Sequence, residues 1–137
     1  MLFPKKTKYR KQHRRKSKGK VIDIIYFGEY GLKTHTDGAI SSRQIESVRR
    51  NLKRSVRRTG QLWIRIFPDN SRTERPTESR MGAGKGAVAY WTAEVKSGTV
   101  LFELIGINRE KARKVLKQAT TKLSIKVFFV KYNSYDL

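Results

Sequence analysis

The sequence has no cysteine and no long apolar run. Without Cys among its 137 residues, the chain can form neither disulfides nor Cys-ligated zinc sites. No apolar stretch approaches the roughly 18 residues that a membrane-spanning helix needs. The basic residues near the N-terminus are not followed by an apolar stretch, so they do not form a secretory signal. The length fits a single domain.

Acidic residues are scarce. The chain has 11 Asp and Glu against 32 Lys and Arg, which gives a net charge of +21 and a pI of about 10.7. A merely solubilising surface would mix both signs, and this one does not. A domain pI above about 9 is typical of nucleic-acid binders. The composition therefore predicts a polyanionic partner, most simply RNA.

Groups suited to catalysis are also few. The two histidines, His13 and His35, stand in no metal-binding pattern such as H-E-x-x-H. The acids are scattered and mostly close to Lys or Arg, as expected of ion-pair partners. We therefore predict structural roles for both histidines, and no enzyme activity, metal site, cofactor or small-molecule substrate.

The glycine-rich run at residues 82–86 invites comparison with a nucleotide-binding loop. A Walker A loop needs Gly four residues before its Gly-Lys pair and Ser or Thr after it, but Ser79 and Gly86 occupy those positions. A dinucleotide loop leads into a helix, whereas residues 87–91 predict a strand. The run indicates instead a flexible loop whose backbone can approach RNA closely, with Arg80 and Lys85 as phosphate-binding cations.

Residues 1–20 form a basic N-terminal arm without acidic residues. Its cations are Lys5, Lys6, Lys8, Arg10, Lys11, Arg14, Arg15, Lys16, Lys18 and Lys20. We favour an RNA-binding arm over an organellar transit peptide, because the arm lacks an amphipathic pattern and contains Pro4. Membrane attachment is a weaker alternative, since the arm has no apolar face. Phe3 and Tyr9 could stack on bases or pack on the protein.

Residues 21–137 predict one globular domain. Its expected elements are strands at 21–27 and 32–34, a helix opened by a capping box from Ser41 to Gln44 and stopped by Gly60, a strand at 61–67, a polar loop at 72–86, a hairpin of strands 87–95 and 99–105, a helix capped by Asn108, and a strand at 125–131. This order predicts an α+β fold: a mixed, mostly antiparallel sheet with two helices packed on one face.

Each predicted helix has an apolar stripe and a cationic side. In the first helix the stripe is Ile45, Val48, Leu52 and Val56, and the opposite side carries Arg43, Arg50, Arg54, Arg57 and Arg58. Glu46 is the one acid that could pair with them at helical spacing, which favours phosphates as their partners. In the second helix the stripe is Ala112, Val115, Leu116, Ala119 and Leu123.

Motifs along nearly the whole chain resemble large-subunit ribosomal protein sixteen in its bacterial and organellar form. They are Met1-Leu2-x-Pro4-Lys5-x-Thr7-Lys8-x-Arg10-Lys11, Phe27-Gly28-x-Tyr30-Gly31-Leu32, Arg43-Gln44-Ile45-Glu46 with Arg49-Arg50, Trp63-Ile64-Arg65-Ile66-Phe67-Pro68-Asp69, and Arg80-Met81-Gly82-Ala83-Gly84-Lys85-Gly86 with Tyr90-Trp91. The sequence departs from the family's usual pattern at residues 16–25, 70–72 and 132–137.

The resemblance implies a structural protein of the large ribosomal subunit that binds large-subunit rRNA beside neighbouring ribosomal proteins. It also implies a place near the A-site tRNA and the peptidyl-transferase region, and a late step in assembly. The rRNA-binding residues are predicted to be Lys5, Lys6, Lys8, Arg10, Lys11, Arg14, Arg15, Arg43, Arg50, Arg54, Arg57 and Arg58. The loop near tRNA and the peptidyl-transferase region would contribute Arg80, Met81, Gly82, Gly84, Lys85 and Gly86.

The abundance of Lys, Ile and Asn indicates an AT-biased genome. This favours a mitochondrial or plastid ribosome over one in bacterial cytoplasm. Two other functions stay open at this point: a free RNA chaperone or nucleoid-type binder, and an RNA-acting enzyme. The enzyme would need acids or histidines near the loop.

Overall fold

The α+β class is confirmed by the computed structural model, which describes residues 2–15, 21, 24–56 and 60–132. Its elements are β1 Tyr30–Thr34, β2 Gly38–Ser41, α1 Ser42–Ser55, β3 Gln61–Ile64, β4 Asn70–Glu74, β5 Ala87–Val95, β6 Val100–Ile105, α2 Arg109–Thr120 and β7 Val127–Lys131. The strands within this part of the chain form two antiparallel sheets, ordered β3-β6-β1-β7 and β2-β5-β4.

The two helices pack on each other and on the inner faces of the sheets. α1 contacts β2, β3 and β5, so it spans both sheets, and α2 contacts β1 and β7. In the four-stranded sheet, Leu32 pairs with Phe102, which also pairs with Ile64. Leu32 and Phe102 are fully buried, and the predicted stripe residues of both helices are buried with them, except Leu123, which is partly buried. The core therefore forms where alternating strand residues meet the helical stripes.

Helix α1 begins as the sequence predicts. The Gln44 N–H donates to the Ser41 hydroxyl at 3.3 Å, and the Gln44 amide oxygen accepts from the Ser41 N–H at 2.9 Å. Asn108 stands at the N-cap position of α2, but its side chain makes no capping bond there. α2 ends at Thr120, so Leu123 packs on the core from outside the helix rather than from its stripe.

Four local predictions were wrong. The strand expected at 61–67 ends at Ile64. The strand expected at 21–27 is absent from residues 24–27, and β1 starts only at Tyr30. The strand β4 occupies residues 70–71, for which no strand was predicted, and the start of the loop predicted at 72–86, so the loop runs from 75 to 86. β5 and β6 do not form a hairpin: a turn joins them, with the Thr99 N–H donating to the Lys96 carbonyl at 3.1 Å, but each strand enters a different sheet.

The segment at 26–28 is not a strand, because its N–H groups donate hydrogen bonds to a carboxylate instead of to a neighbouring strand. Glu103 in β6 is completely buried and accepts hydrogen bonds from the N–H groups of Tyr26, Phe27 and Gly28, at 3.3, 2.7 and 2.9 Å. It also forms an ion pair with Arg65. These bonds hold the segment against the outer face of the four-stranded sheet, where Ile25 is buried beside Gly31.

Candidate nucleic-acid interface

A cationic groove runs between the polar sides of the two helices. We call it the α1–α2 groove. Its lining residues are Arg43, Glu46, Ser47, Arg50, Asn51, Arg54, Gln118, Thr121 and Lys122. The apolar stripe of α1 faces the core, and its three- and four-residue spacing forces the arginines to the opposite side, where they line this groove. The groove therefore presents four cations and one acid to a partner.

The single acid of the groove neutralises part of the charge of α1. Glu46 accepts from Arg49 at 2.7 Å and from Arg50 at 3.0 Å. Hydrogen bonding by Arg49, opposed by burial and aided by Arg50, lowers the pKa of Glu46 from 4.5 to about 2. In contrast, Arg43 and Arg54 have no ion-pair partner in the described part of the chain. Arg43 and Arg54 thus keep their full charge for an anionic partner.

The described part of the arm is exposed and unpaired over much of its length. Lys5, Lys6, Lys8, Arg10, Lys11, Arg14 and Arg15 are all exposed. Phe3 and Tyr9 are exposed by 56% and 67%, which leaves both rings accessible to bases instead of packed on the protein. Arg15 differs from the other cations, because it forms a surface ion pair with Asp69 at 2.9 Å.

The arm is joined to the loop at 80–86 by two reciprocal hydrogen bonds. The Lys11 ammonium donates to the Lys85 carbonyl at 2.6 Å, and the Lys85 ammonium donates to the Gln12 carbonyl. These bonds use carbonyl oxygens as acceptors, so they leave both positive charges uncompensated. The arm and the loop consequently form one continuous cationic surface, which we call the arm–loop surface.

Backbone conformation explains why the loop is glycine-rich. Gly82, Ala83 and Gly84 all have positive φ, at 100°, 58° and 88°, a region that L side chains rarely adopt. Gly86 is required for a different reason, since a Cβ there would lie 2.4 Å from the Glu74 carbonyl oxygen. The resulting bend leaves Met81 exposed by 95% at its tip.

An arginine outside the predicted site supports the loop from its base. Arg75 donates to the carbonyl oxygens of Arg80 and Gly82, the latter at 3.2 Å. The sequence-based prediction of the site also left out Lys122. Only the packing of α2 on α1 brings Lys122 to the groove. Arg57 and Arg58, both predicted to bind rRNA, lie outside the described residues.

The described residues contain no cluster of His, Asp or Glu that could hold a metal ion. His13 is exposed in the arm, and the His35 ring packs edge-on against Phe128. Among the helices described, neither is long and apolar enough to cross a membrane.

Comparison with known proteins identifies the family. Residues 4–130 match the family described as ribosomal protein L16p/L10e. The chain is 53% identical to large ribosomal subunit protein uL16c of Emiliania huxleyi, with 98% of this chain and 99% of the relative covered. It is 50% identical to uL16c of Cicer arietinum (95% and 95% covered). It is also 51% identical to large ribosomal subunit protein uL16 of Staphylococcus saprophyticus (96% and 92%).

The match spans most of the arm, both helices and the loop. It agrees with the motifs, and it accounts for a site rich in cations and poor in acid-base groups. The chain belongs to the ribosomal protein L16p/L10e family and is a structural component of the large ribosomal subunit, not an enzyme.

Proposed function

We propose that this protein binds large-subunit rRNA through the α1–α2 groove and the arm–loop surface. The observation that carries the proposal is the set of unpaired cations on these two surfaces, including Arg43, Arg54 and Lys11, within a chain of net charge +21. Such a density of like charge is unfavourable in a compact protein alone. Phosphates neutralise it and release their condensed counterions, which drives binding.

The loop at 80–86 is the part that reaches toward the A-site tRNA and the peptidyl-transferase region. Arg80 and Met81 are exposed at the bend, and the absence of side chains at Gly82 and Gly84 permits close approach of a nucleic-acid backbone. Arg75 and the arm hold the base of the loop, so its position is defined before tRNA arrives. The loop would support tRNA accommodation by contact and charge alone, because catalysis would belong to the RNA.

The ribosome concerned is that of a plastid. The relatives from Emiliania huxleyi and Cicer arietinum carry the plastid-type name uL16c, and the Lys- and Ile-rich composition agrees with an AT-biased organellar genome. Within that ribosome the protein would join the large subunit late in assembly, beside other ribosomal proteins. Recovery of the protein with plastid large subunits after organelle fractionation and sedimentation tests this location.

Binding to large subunits depleted of this protein tests the proposal. The affinity of the wild-type protein should fall about 10³- to 10⁵-fold between 50 and 200 mM salt. The double variant Arg43→Gln, Arg54→Gln should bind more weakly and lose about one unit of salt slope for each phosphate contact removed. The matched control is Lys111→Gln, Lys114→Gln, which removes the same charge from exposed positions of α2 outside the groove.

An unchanged salt slope in the groove variant, with normal incorporation into subunits, would refute the role of the α1–α2 groove. Equal weakening by both double variants would show that only net charge matters, as in a free RNA chaperone. Far-UV circular dichroism of each variant checks that the fold is kept.

A further inference from the structure

A second groove lies on the outer face of the three-stranded sheet, which we call the Tyr90 groove. It is lined by Arg14 of the arm, Ala39 and Ser41 of β2, Arg43 and Gln44 of α1, Arg72 of β4, and Tyr90 and Thr92 of β5. The strand register places these sheet residues together, because Ser41 pairs with Thr92 and Arg72 pairs with Tyr90. Its volume of about 500 Å³ is in the range of small-ligand sites, about 300–1,000 Å³.

The charges of the Tyr90 groove select an anion. Three arginines line it and no acid does. Arg72 is held in place by Glu94, which lies outside the lining, and by the Thr92 hydroxyl at 3.3 Å. Arg14 and Arg43 have no ion-pair partner among the residues described. Two guanidinium groups without an ion-pair partner thus line the groove, and a guanidinium can bind a phosphate in a bidentate manner.

The aromatic residue of the groove adds a second kind of contact. Tyr90 is exposed by 42% and belongs to no ring pair or cation–π contact within the described chain. A free aromatic face beside phosphate-binding arginines is the combination that binds unstacked bases of single-stranded RNA. A free inorganic phosphate would leave this ring unused.

We propose that the Tyr90 groove holds one unstacked RNA nucleotide, with its base on the Tyr90 ring and its phosphate between Arg14 and Arg43. The inference rests on the proposed rRNA binding and adds to it a specific contact with a single base. It also fixes the position of the arm at Arg14, because this side chain reaches the groove when the arm lies along the sheet.

Substitution of Tyr90 tests the stacking contact in binding assays with depleted large subunits. Tyr90→Leu should weaken binding by between about fivefold and about 150-fold, the loss expected for one stacked base. Its salt slope should stay unchanged, because no phosphate contact is lost. Tyr90→Phe keeps the ring and should bind within twofold of wild type. The matched control is Phe128→Leu, which removes a ring exposed by 40% on the other sheet and should also bind within twofold.

Substitution of Arg14 tests the phosphate contact separately. Arg14→Gln should lower the salt slope by about one unit. Ultraviolet cross-linking of wild-type protein in reconstituted subunits, followed by mass spectrometry, should yield a nucleotide attached to Tyr90.

The outcomes separate the two proposals. If wild-type protein binds depleted subunits with the expected salt dependence but Tyr90→Leu binds within twofold of it, the nucleotide site is refuted and rRNA binding stands. Equal losses for Tyr90→Leu and Phe128→Leu would also overturn the site, since any exposed ring would then serve. Failure of the wild-type protein to bind would overturn both.

Discussion

Replacing Glu103 with glutamine should destabilise the protein by several kcal/mol without changing its shape. The Glu103 side chain is 0% exposed, and its carboxylate accepts three backbone N–H groups and the Arg65 guanidinium. Glutamine keeps one acceptor oxygen but replaces the other by an NH₂ donor. Each carboxylate oxygen accepts two of these four bonds. Whichever oxygen is replaced, two bonds are therefore lost and the new donor faces two other donors.

The magnitude follows from the loss of charge. Removing one partner of a buried ion pair costs about 3–5 kcal/mol, because the other charge stays uncompensated. Arg65 is 25% exposed and keeps its stacking on the rings of Tyr26 and Phe27, at 4.8 and 5.3 Å, so we expect a cost nearer about 3 kcal/mol. This is a large share of the roughly 5–15 kcal/mol that stabilises a typical domain.

Urea unfolding followed by circular dichroism and tryptophan fluorescence measures this loss. Trp63 stacks on Phe27 with ring centroids 5.9 Å apart, so its emission also reports on the segment that Glu103 holds. Glu110→Gln, at an exposed position in the first turn of α2, is the control and should cost less than about 1 kcal/mol. A loss below about 1 kcal/mol for Glu103→Gln, or strict additivity with Arg65→Met in a double-mutant cycle, would refute the reasoning.

Two further predictions concern the acid of α1 and the base of the loop. The pKa of Glu46 is lowered to about 2 by Arg49, so the stabilising effect of its ion pairs is present above pH 4.5 and disappears as the pH falls toward 2. Glu46→Gln should lower the free energy of unfolding in urea by about 0.5–1 kcal/mol at pH 7. An equal difference between the two proteins at pH 2 would contradict this. Gly86→Ala should cost about 1–3 kcal/mol in the same assay, because the new methyl group meets the Glu74 backbone. In Gly84→Ala the new methyl group has no neighbour within 4 Å, so this variant should lose only about 1 kcal/mol through left-handed backbone strain. Equal losses for Gly84→Ala and Gly86→Ala would show that the backbone shifts to relieve the close contact at residue 86.

Local patterns predicted the helices well and the sheets only in part. The capping box and the apolar stripe of α1 are interactions between residues a few positions apart, so the sequence displays them directly. The strand β4 reads as polar because Arg72 and Glu94 satisfy each other across the sheet, a pairing between residues 22 positions apart that no local pattern reveals. For the same reason, the apolar segment at 24–27 was mistaken for a strand, although a carboxylate from β6 binds its backbone.

The candidate site was predictable in its charges but not in its grouping. The cations of the arm and of α1 follow from composition and helical spacing. The joining of Lys11 to Lys85, and the meeting of Arg14, Arg43 and Tyr90 in one groove, depend on how distant segments pack. Sequence reasoning therefore found the anion-binding residues without finding where a base would lie.

The two lysine bonds between arm and loop make their junction tolerant of mutation. The ammonium groups of Lys11 and Lys85 each donate a hydrogen bond to a main-chain carbonyl oxygen, which every amino acid possesses. Losing one lysine removes only the bond that this side chain donates and leaves its counterpart intact. A substitution at either position alone therefore leaves one hydrogen bond between the arm and the loop. Both bonds are lost only when both lysine side chains are replaced.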